Sequence, residues 1–501
     1  MTDPLAAAAR LSSVLFLPVR KLVGPLHRRG QSIEKDQNND LPPLPEPWED
    51  ERWFRGGFPP RGHNALEPLL HGDEYFNDLY EALLAARERV TICGWSLTPL
   101  MALLRGKREG ESILVDVLRR ASERAEVYVL LWSGAPALFE PTDRMAKDVQ
   151  KILNRYAPKV RCELDHRASF SHDHHQKAVT IDGHLAFVGG MDLSTFQGDR
   201  WDTSEHPLRF GPGWHDVQVR IRGELVSDVE ENFCQRWNVV TGERLEPLSV
   251  KPIEPAGSMP AQIVRTVPAG FFPFAPHGEF GIYHVLTSAI RRARRYVYLE
   301  NQYLWSPEVV DALVDAMNRN RSGPFRIVVV LPAKAYTGKY DNDEHVRLLS
   351  HADRGRGIFH AFSLYSGGPA MGTTGYRYLP IYVHAKVSIV DDEWFSVGSA
   401  NLNGRGLATD TEMNVHAIVP SAARHLRVRL WAEHLGVSVD QIADADPIAL
   451  VDTQWPEAAK AMEASMLSGG FPAQSQIRRY VPGHNPGSRL LDVIQQMTLE
   501  H

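Results

Sequence analysis

The sequence predicts an α/β protein built as two similar α/β lobes packed about a pseudo-twofold axis, with one shared active-site cleft. Three observations carry that expectation. Helix-like and strand-like patterns alternate from about residue 63 onward. One segment recurs in both halves of the chain with the same internal spacing. After each copy comes a helix-like stretch ending near a tryptophan, at Arg236-Trp237 and at Leu430-Trp431.

The chain has 501 residues, 43% hydrophobic and 23% charged, the balance of an ordinary globular protein with ample apolar sequence for a large core. Its 55 basic and 61 acidic residues leave a net charge of −6, which argues against general nucleic-acid binding. The three cysteines, Cys93, Cys162 and Cys234, do not make a disulfide framework and read as buried small hydrophobes. No run of about 18 apolar residues predicts a transmembrane helix.

Taken in order, Leu15-Phe16-Leu17 among Arg10, Arg20, Lys21, Arg28 and Arg29 reads as a basic arm, too short in its apolar part for a signal peptide. The polar, Pro-containing stretch from about 30 to 62 reads as a linker, so 1–62 is arm and linker. The first lobe is expected over 63–250 and the second over 251–440. In each, a helix end leads into a buried strand: Ala86-Arg87-Glu88-Arg89-Val90-Thr91-Ile92 and Ala293-Arg294-Arg295-Tyr296-Val297-Tyr298-Leu299. A second apolar strand follows, Val127–Leu131 and Ile327–Leu331. A helical tail is expected over 441–501.

The third matched pair holds the chemistry. His175, Lys177 and Asp182 in one half answer to His384, Lys386 and Asp391 in the other, at a constant offset of 209 residues. Gly189 and Asp192 answer to Gly398 and Asn401 at the same offset, with Gly190 opposite Ser399. A chain of this length holds about 0.06 such His-x-Lys-x4-Asp matches by chance, so two matched copies are not coincidence. Read as a strand, His and Lys at i and i+2 project to one face. Asp182-Gly183 and Asp391-Asp392 then turn the chain into a second strand, so these aspartates read as structural.

Two imidazoles and two ammonium groups around one point suit a phosphodiester. The lysines neutralise the non-bridging oxygens and the charge that grows in the transition state. One neutral imidazole attacks phosphorus, while the other donates a proton to the leaving alcohol and then deprotonates water. No metal or other cofactor is expected, because the lysines supply the positive charge. Each imidazole needs a partner to hold its tautomer. Asp216, in Trp214-His215-Asp216-Val217, and Glu412, in Asp410-Thr411-Glu412-Met413, are the candidates. Asp192, Asn401 and Ser399 are the candidate phosphate contacts.

At these residues the sequence resembles the phospholipase D superfamily, whose signature is the paired HxKxxxxD motif, and looks closest to the eukaryotic type. Gly94-Trp95-Ser96-Leu97, Gly189-Gly190-Met191-Asp192-Leu193, Arg200-Trp201-Asp202-Thr203, Trp214-His215-Asp216-Val217, Glu300-Asn301-Gln302-Tyr303 and Gly398-Ser399-Ala400-Asn401 carry the likeness, over roughly 63–435. The resemblance implies hydrolysis of phosphatidylcholine-like lipids to phosphatidate at a membrane surface, with transfer to other alcohols. It implies His175 as the nucleophile and His384 as the acid/base. The alternatives are a cardiolipin-synthase-type phosphatidyl transferase and a phosphodiesterase acting on nucleic acid, with a non-enzymatic scaffold lowest. The expected location is cytoplasmic or peripheral to a membrane, with export lacking a signal peptide left open.

Weaker candidates have plainer readings beside them. His172 and His174 are expected at the cleft or its rim, not as metal ligands. The glycine-rich stretch Ser366–Gly375 reads as a loop near the site, a lid or a connector. Trp201, Trp214 and Tyr303 either meet a cationic headgroup or pack in the core.

Overall fold

In the computed structural model, residues 52–135, 140–167, 172–208, 213–249, 257–335, 339–370 and 375–483 are described. The arm, most of the linker, Gly372 and the tail beyond 483 lie outside them. The first half supplies β1 (Asn64–Leu70), β2 (Arg89–Gly94), β3 (Glu126–Trp132), β4 (Val160–Asp165), β5 (Ala178–Ile181), β6 (Leu185–Gly189), β7 (Trp214–His215) and β8 (Val217–Gly223). Seven of these form one sheet in the order β1-β8-β6-β5-β2-β3-β4.

The second half supplies β9 (Ala261–Val267), β10 (Glu279–Phe280), β11 (Tyr296–Glu300), β12 (Arg326–Val330), β13 (Phe359–Pro369), β14 (Tyr376–Pro380), β15 (Tyr382–Val383), β16 (Val387–Val390), β17 (Trp394–Gly398) and β18 (Glu412–Ala417). Nine of them form a second sheet, β10-β9-β18-β17-β16-β11-β12-β13-β14. The run β9-β18-β17-β16-β11-β12-β13 repeats the order of the first sheet strand for strand. In both, the strand before the crossovers is parallel to the next two and antiparallel to the motif strand, β2 to β5 and β11 to β16. The repeat in the sequence is therefore a repeat in topology.

The central strands are buried on both faces, which is why they read as unbroken apolar runs without alternation. A single apolar core crosses from one sheet to the other. Val188, Val219 and Ile221 meet Val397, Val415 and Ala417, with Phe233 and Trp237 of helix Leu225–Thr241 and Leu426 and Trp431 of helix Pro420–Leu435. Each such side chain contributes about 1.5–3 kcal/mol of burial. A separate core lies under the helix His71–Ala85, whose Tyr75, Phe76, Leu79 and Leu83 recur at helical spacing on its buried face.

Two features depart from the sequence reading. The tail is not helical throughout: after helix Gln454–Ser468 it adds β19 (Ile477–Arg479) antiparallel to β13. Ser366–Pro369 is not a loop but the end of β13, paired with β14. Its glycines are there for close approach, since a Cβ on Gly367 would sit 2.8 Å from the Tyr378 ring and from Pro472.

Asp182 and Asp391 end the two motifs in the left-handed region, with φ of 52° and 58°. Asp182 accepts hydrogen bonds from the backbone N–H groups of Arg87, Glu88 and Arg89 at 2.7–2.9 Å. Asp391 accepts from Arg294, Arg295 and Tyr296 at 2.7–2.8 Å. Each carboxylate thus gathers the start of the strand beside its own motif strand, and so fixes the register in which the histidine is delivered.

Candidate active site

His175-Gln176-Lys177 and His384-Ala385-Lys386 lie just before β5 and β16, where the chain leaves its own sheet and pairs with the opposite lobe. His175 N–H donates to Thr411 O at 2.9 Å, and Thr411 N–H donates to Asp173 O. In the mirrored position, β7 pairs with β15, and the N–H groups of His384 and Ala385 donate to His215 O at 2.8 and 3.1 Å. Each motif is therefore bonded to the backbone that precedes the other lobe's carboxylate.

The side chains follow that crossing. His175 Nδ1 lies 2.9 Å from Glu412 Oε1, and His384 Nδ1 lies 2.6 Å from Asp216 Oδ2. Both carboxylates belong to the lobe that does not carry the histidine. With Nδ1 occupied, Nε2 of each ring is the atom left to react, and both rings line one cleft of about 500 Å³.

The sequence already sets Asp192 opposite Asn401 and Gly190 opposite Ser399, and the surroundings of the two half-sites differ accordingly. Lys177 donates to His175 O at 2.9 Å and sits 3.1 Å from Asp192 Oδ2. Lys386 donates to His384 O, and the residue matched in sequence to Asp192 is the neutral Asn401. Gly190 leaves Asp216 room: a Cβ there would come within 2.1 Å of Asp216 Oδ1. Its counterpart Ser399 donates its hydroxyl to Glu412 Oε2.

Electrostatics follow the burial. Desolvation, then Lys177 and Lys386, hold the His175 imidazole well below its ordinary value. Desolvation and Lys386 take His384 down to about 3, against the pull of Asp216. Burial lowers Lys386 to about 7. Burial also pushes Asp216 up, but the His384 charge and hydrogen bond outweigh it and hold the carboxylate below its usual range. Glu412 goes the other way, raised well above it by burial. Both rings are thus held in the neutral form, His384 beside an anion and His175 beside a carboxyl that resists ionising.

Among the other expected site residues, Asp192 and Asn401 line the cleft. Asp192 Oδ1 accepts from Trp95 N–H at 2.9 Å, so this carboxylate positions Lys177 as well as facing the cleft. Ser399 is fully buried and committed to Glu412 and to Met413 N–H. It braces a carboxylate and is not among the residues that line the cleft. His174 is buried off the cleft, Nδ1 at 3.0 Å from Thr411 Oγ1 and Nε2 at 3.1 Å from Asp165. The His172 ring packs on Phe271. Of the three aromatics, Tyr303 lines the cleft, Trp214 is buried against the His384 ring and Arg200, and Trp201 packs under Arg105.

The sequence reading gave no role to several residues that line the cleft. Trp95 lies edge-on to His175 with ring centroids 6.0 Å apart, and its Nε1 donates to Asp173 at 3.1 Å. Arg200 donates to Ser194 O and Phe196 O, which aims a cation at the cleft. Arg405 pairs with Asp173 at 2.8 Å and Asp410 at 3.0 Å. Trp95 and Arg200 stand in stretches quoted for the family resemblance, which was the available signal.

Comparison with known proteins bears on the same segments. A family model described as "Phospholipase D" matches residues 82–212, and one described as "Cardiolipin synthase, PLD-like domain" matches 286–434. The chain is 26% identical over 466 residues to phospholipase D A of Dictyostelium discoideum, covering 76% of this chain and 36% of that protein. It is 24% identical over 578 residues to phospholipase D alpha 1 of Arabidopsis thaliana, covering 83% and 70%. It spans little more than a third of the first relative and over two thirds of the second. Its fold is similar to the crystal structure of phosphatidylserine synthase from Haemophilus influenzae Rd KW20, with a TM-score of 0.53 at 13% identity, over 82% of this chain and 97% of that one.

Proposed function

The chain belongs to the phospholipase D superfamily, and from that premise we propose that it is a phospholipase D, hydrolysing glycerophospholipids such as phosphatidylcholine to phosphatidate and free headgroup and transferring phosphatidyl groups to other alcohols. The observation that carries the proposal is the pair of crossed histidine–carboxylate contacts at one cleft, with Lys177 and Lys386 each bonded to the backbone carbonyl of its own motif histidine.

A diester anion enters between Lys177, Lys386 and Arg200, whose charges meet its non-bridging oxygens. Bound anion offsets the cations that depress the two imidazoles, so His384 gains a proton beside Asp216. Nε2 of neutral His175 attacks phosphorus. The bond from phosphorus to the headgroup oxygen breaks, and His384 gives that oxygen its proton. A phosphatidyl group is then held on His175. His384, now neutral, takes a proton from water, whose oxygen attacks phosphorus as the bond to His175 breaks. Phosphatidate leaves, and an alcohol in place of water gives the transfer product.

One further feature supports a lipid. A mostly apolar pocket walled by Leu97, Leu131, Trp132, Met145 and Phe196 shares Trp95 with the cleft. It suits the start of an acyl chain. Among the described residues no helix is long and apolar enough to cross a membrane. We assign the lobes to 63–250 and 251–440, the second extended by β19.

The test is headgroup release across a lipid panel, with acid quenching and mass spectrometry of the phosphoenzyme. Release of headgroup with phosphate on His175 is expected. Phosphate on His384 would invert the roles. The second-lobe match favours one rival, a cardiolipin-synthase-type transferase. Diphosphatidylglycerol as main product from phosphatidylglycerol alone would select it, and cleavage of DNA without headgroup release would select a nuclease.

A further inference from the structure

Behind His384, four side chains that the reaction does not use converge: His71, His206, His215 and Glu433. The three imidazoles are at most 1% exposed. One ligand atom from each of the four lies within 4.8 Å of the other three. Glu433 Oε2 is 2.8 Å from His71 Nε2, and Glu433 Oε1 is 3.3 Å from His206 Nε2 and 3.4 Å from His215 Nδ1.

The outer nitrogens decide what the inner ones are. His206 Nδ1 faces Asp202 Oδ2 at 2.9 Å, and His215 Nε2 faces Glu300 Oε2 at 2.8 Å. A carboxylate accepts, so those ring nitrogens carry the hydrogens. In neutral rings, His206 Nε2 and His215 Nδ1 then turn bare lone pairs on the same oxygen of Glu433. That arrangement is repulsive unless a cation sits between them or the rings each take a second proton. His215 Nδ1, which faces the cluster, is buried and has only the long 3.4 Å contact with Glu433 Oε1, too poorly aligned for a hydrogen bond. An imidazole whose far N–H is held by a carboxylate is the usual dress of a metal ligand. His71 and His206 also hold φ of 63° and 42°, where a side chain is strained, and such residues persist when their surroundings over-determine them.

We propose that His71, His206, His215 and Glu433 form a closed structural site for a divalent ion of the zinc class. Three imidazole nitrogens and one carboxylate oxygen are a tetrahedral donor set for that ion, with bonds of about 2.0–2.2 Å. The expectation that no metal is needed for the chemistry is untouched, because the ion takes no part in it. It clamps the two lobes: Glu433 comes from helix Pro420–Leu435 of the second half, the three histidines from the first. His215 O receives the N–H groups of His384 and Ala385, and Asp216 follows it in the chain, so the clamp holds the backbone that aims His384.

Protein made without a histidine tag is assayed by elemental mass spectrometry, then stripped by chelator and titrated with Zn²⁺ alone. A His175→Ala/His384→Ala double variant removes the cleft imidazoles as competing ligands. One ion per chain in both proteins is expected, lost in His206→Ala, with chelation lowering the thermal midpoint reversibly. If His206→Ala does not fold, X-ray absorption of the zinc-loaded double variant decides. Three imidazoles and an oxygen support the site, whereas sulfur or fewer than three imidazoles overturn it. Less than about one ion in ten chains after Zn²⁺ addition also overturns it, and assigns the cluster to doubly protonated histidines instead.

Discussion

Replacing Asp216 by Asn tests the crossed pairing most directly. The substitution keeps an oxygen able to accept from Val217 N–H and nearly the same volume, but removes the anion 2.6 Å from His384 Nδ1. That anion matters when His384 carries a proton. With charge centres about 4 Å apart and an effective dielectric of about 20, the pair is worth about 4 kcal/mol. At about 1.36 kcal/mol per decade the loss is about 10³-fold in kcat, with KM changed little. The assay is stopped-flow headgroup release with phosphatidylcholine, beside acid-quenched phosphoenzyme. Since His384 is assigned to the leaving group, formation of the phosphoenzyme should slow. A diester that expels p-nitrophenolate needs little general acid, so its first step should be far less affected. A kcat for phosphatidylcholine within tenfold of wild type, or equal loss with both leaving groups in the first step, would refute the assignment.

Three other outcomes are expected. Ser399→Ala removes the hydroxyl from Glu412 Oε2, a bond to a charged or buried group worth about 1.5–3 kcal/mol, so kcat should fall about 10–100-fold at constant fold by circular dichroism. Burial takes Lys386 to about 7, and it binds the anion only when protonated, so kcat/KM should fall as pH rises through about 7, while the limb of kcat lies higher because bound diester restores the charge. Lys386→Arg should flatten that alkaline limb of kcat/KM. Asp182→Ala and Asp391→Ala each orphan three backbone N–H groups at about 1 kcal/mol or more apiece, so denaturant titration should show about 3 kcal/mol lost, with residual activity tracking the folded fraction.

The periodicity of the two motifs made the repeated α/β unit legible, because His, Lys, Asp and Gly each need a fixed place along one hairpin. Asp182 and Asp391 were readable as turn residues for the same reason. Asp216 and Glu412 were readable as partners, since each opens a strand after its motif. What spacing along the chain does not encode is which lobe a carboxylate faces, and the crossing of the two pairs belongs to the packing. The bond from Ser399 to Glu412 was not legible, because its matched residue is a glycine and no side chain in the other half showed where that position points. Arg405 carries no local mark and comes to Asp173 from 232 residues away. His71 and Glu433 are 362 residues apart, beyond any ligand-spacing rule.

The crossed carboxylates also make catalytic competence a property of the finished chain. A first lobe that has folded while the second is still being made holds His175 with no Glu412 beside it, and it holds Asp216 with no His384 to orient. Neither lobe owns a complete half-reaction. On the proposed mechanism, a molecule that lacks either lobe lacks both complete histidine–carboxylate pairs.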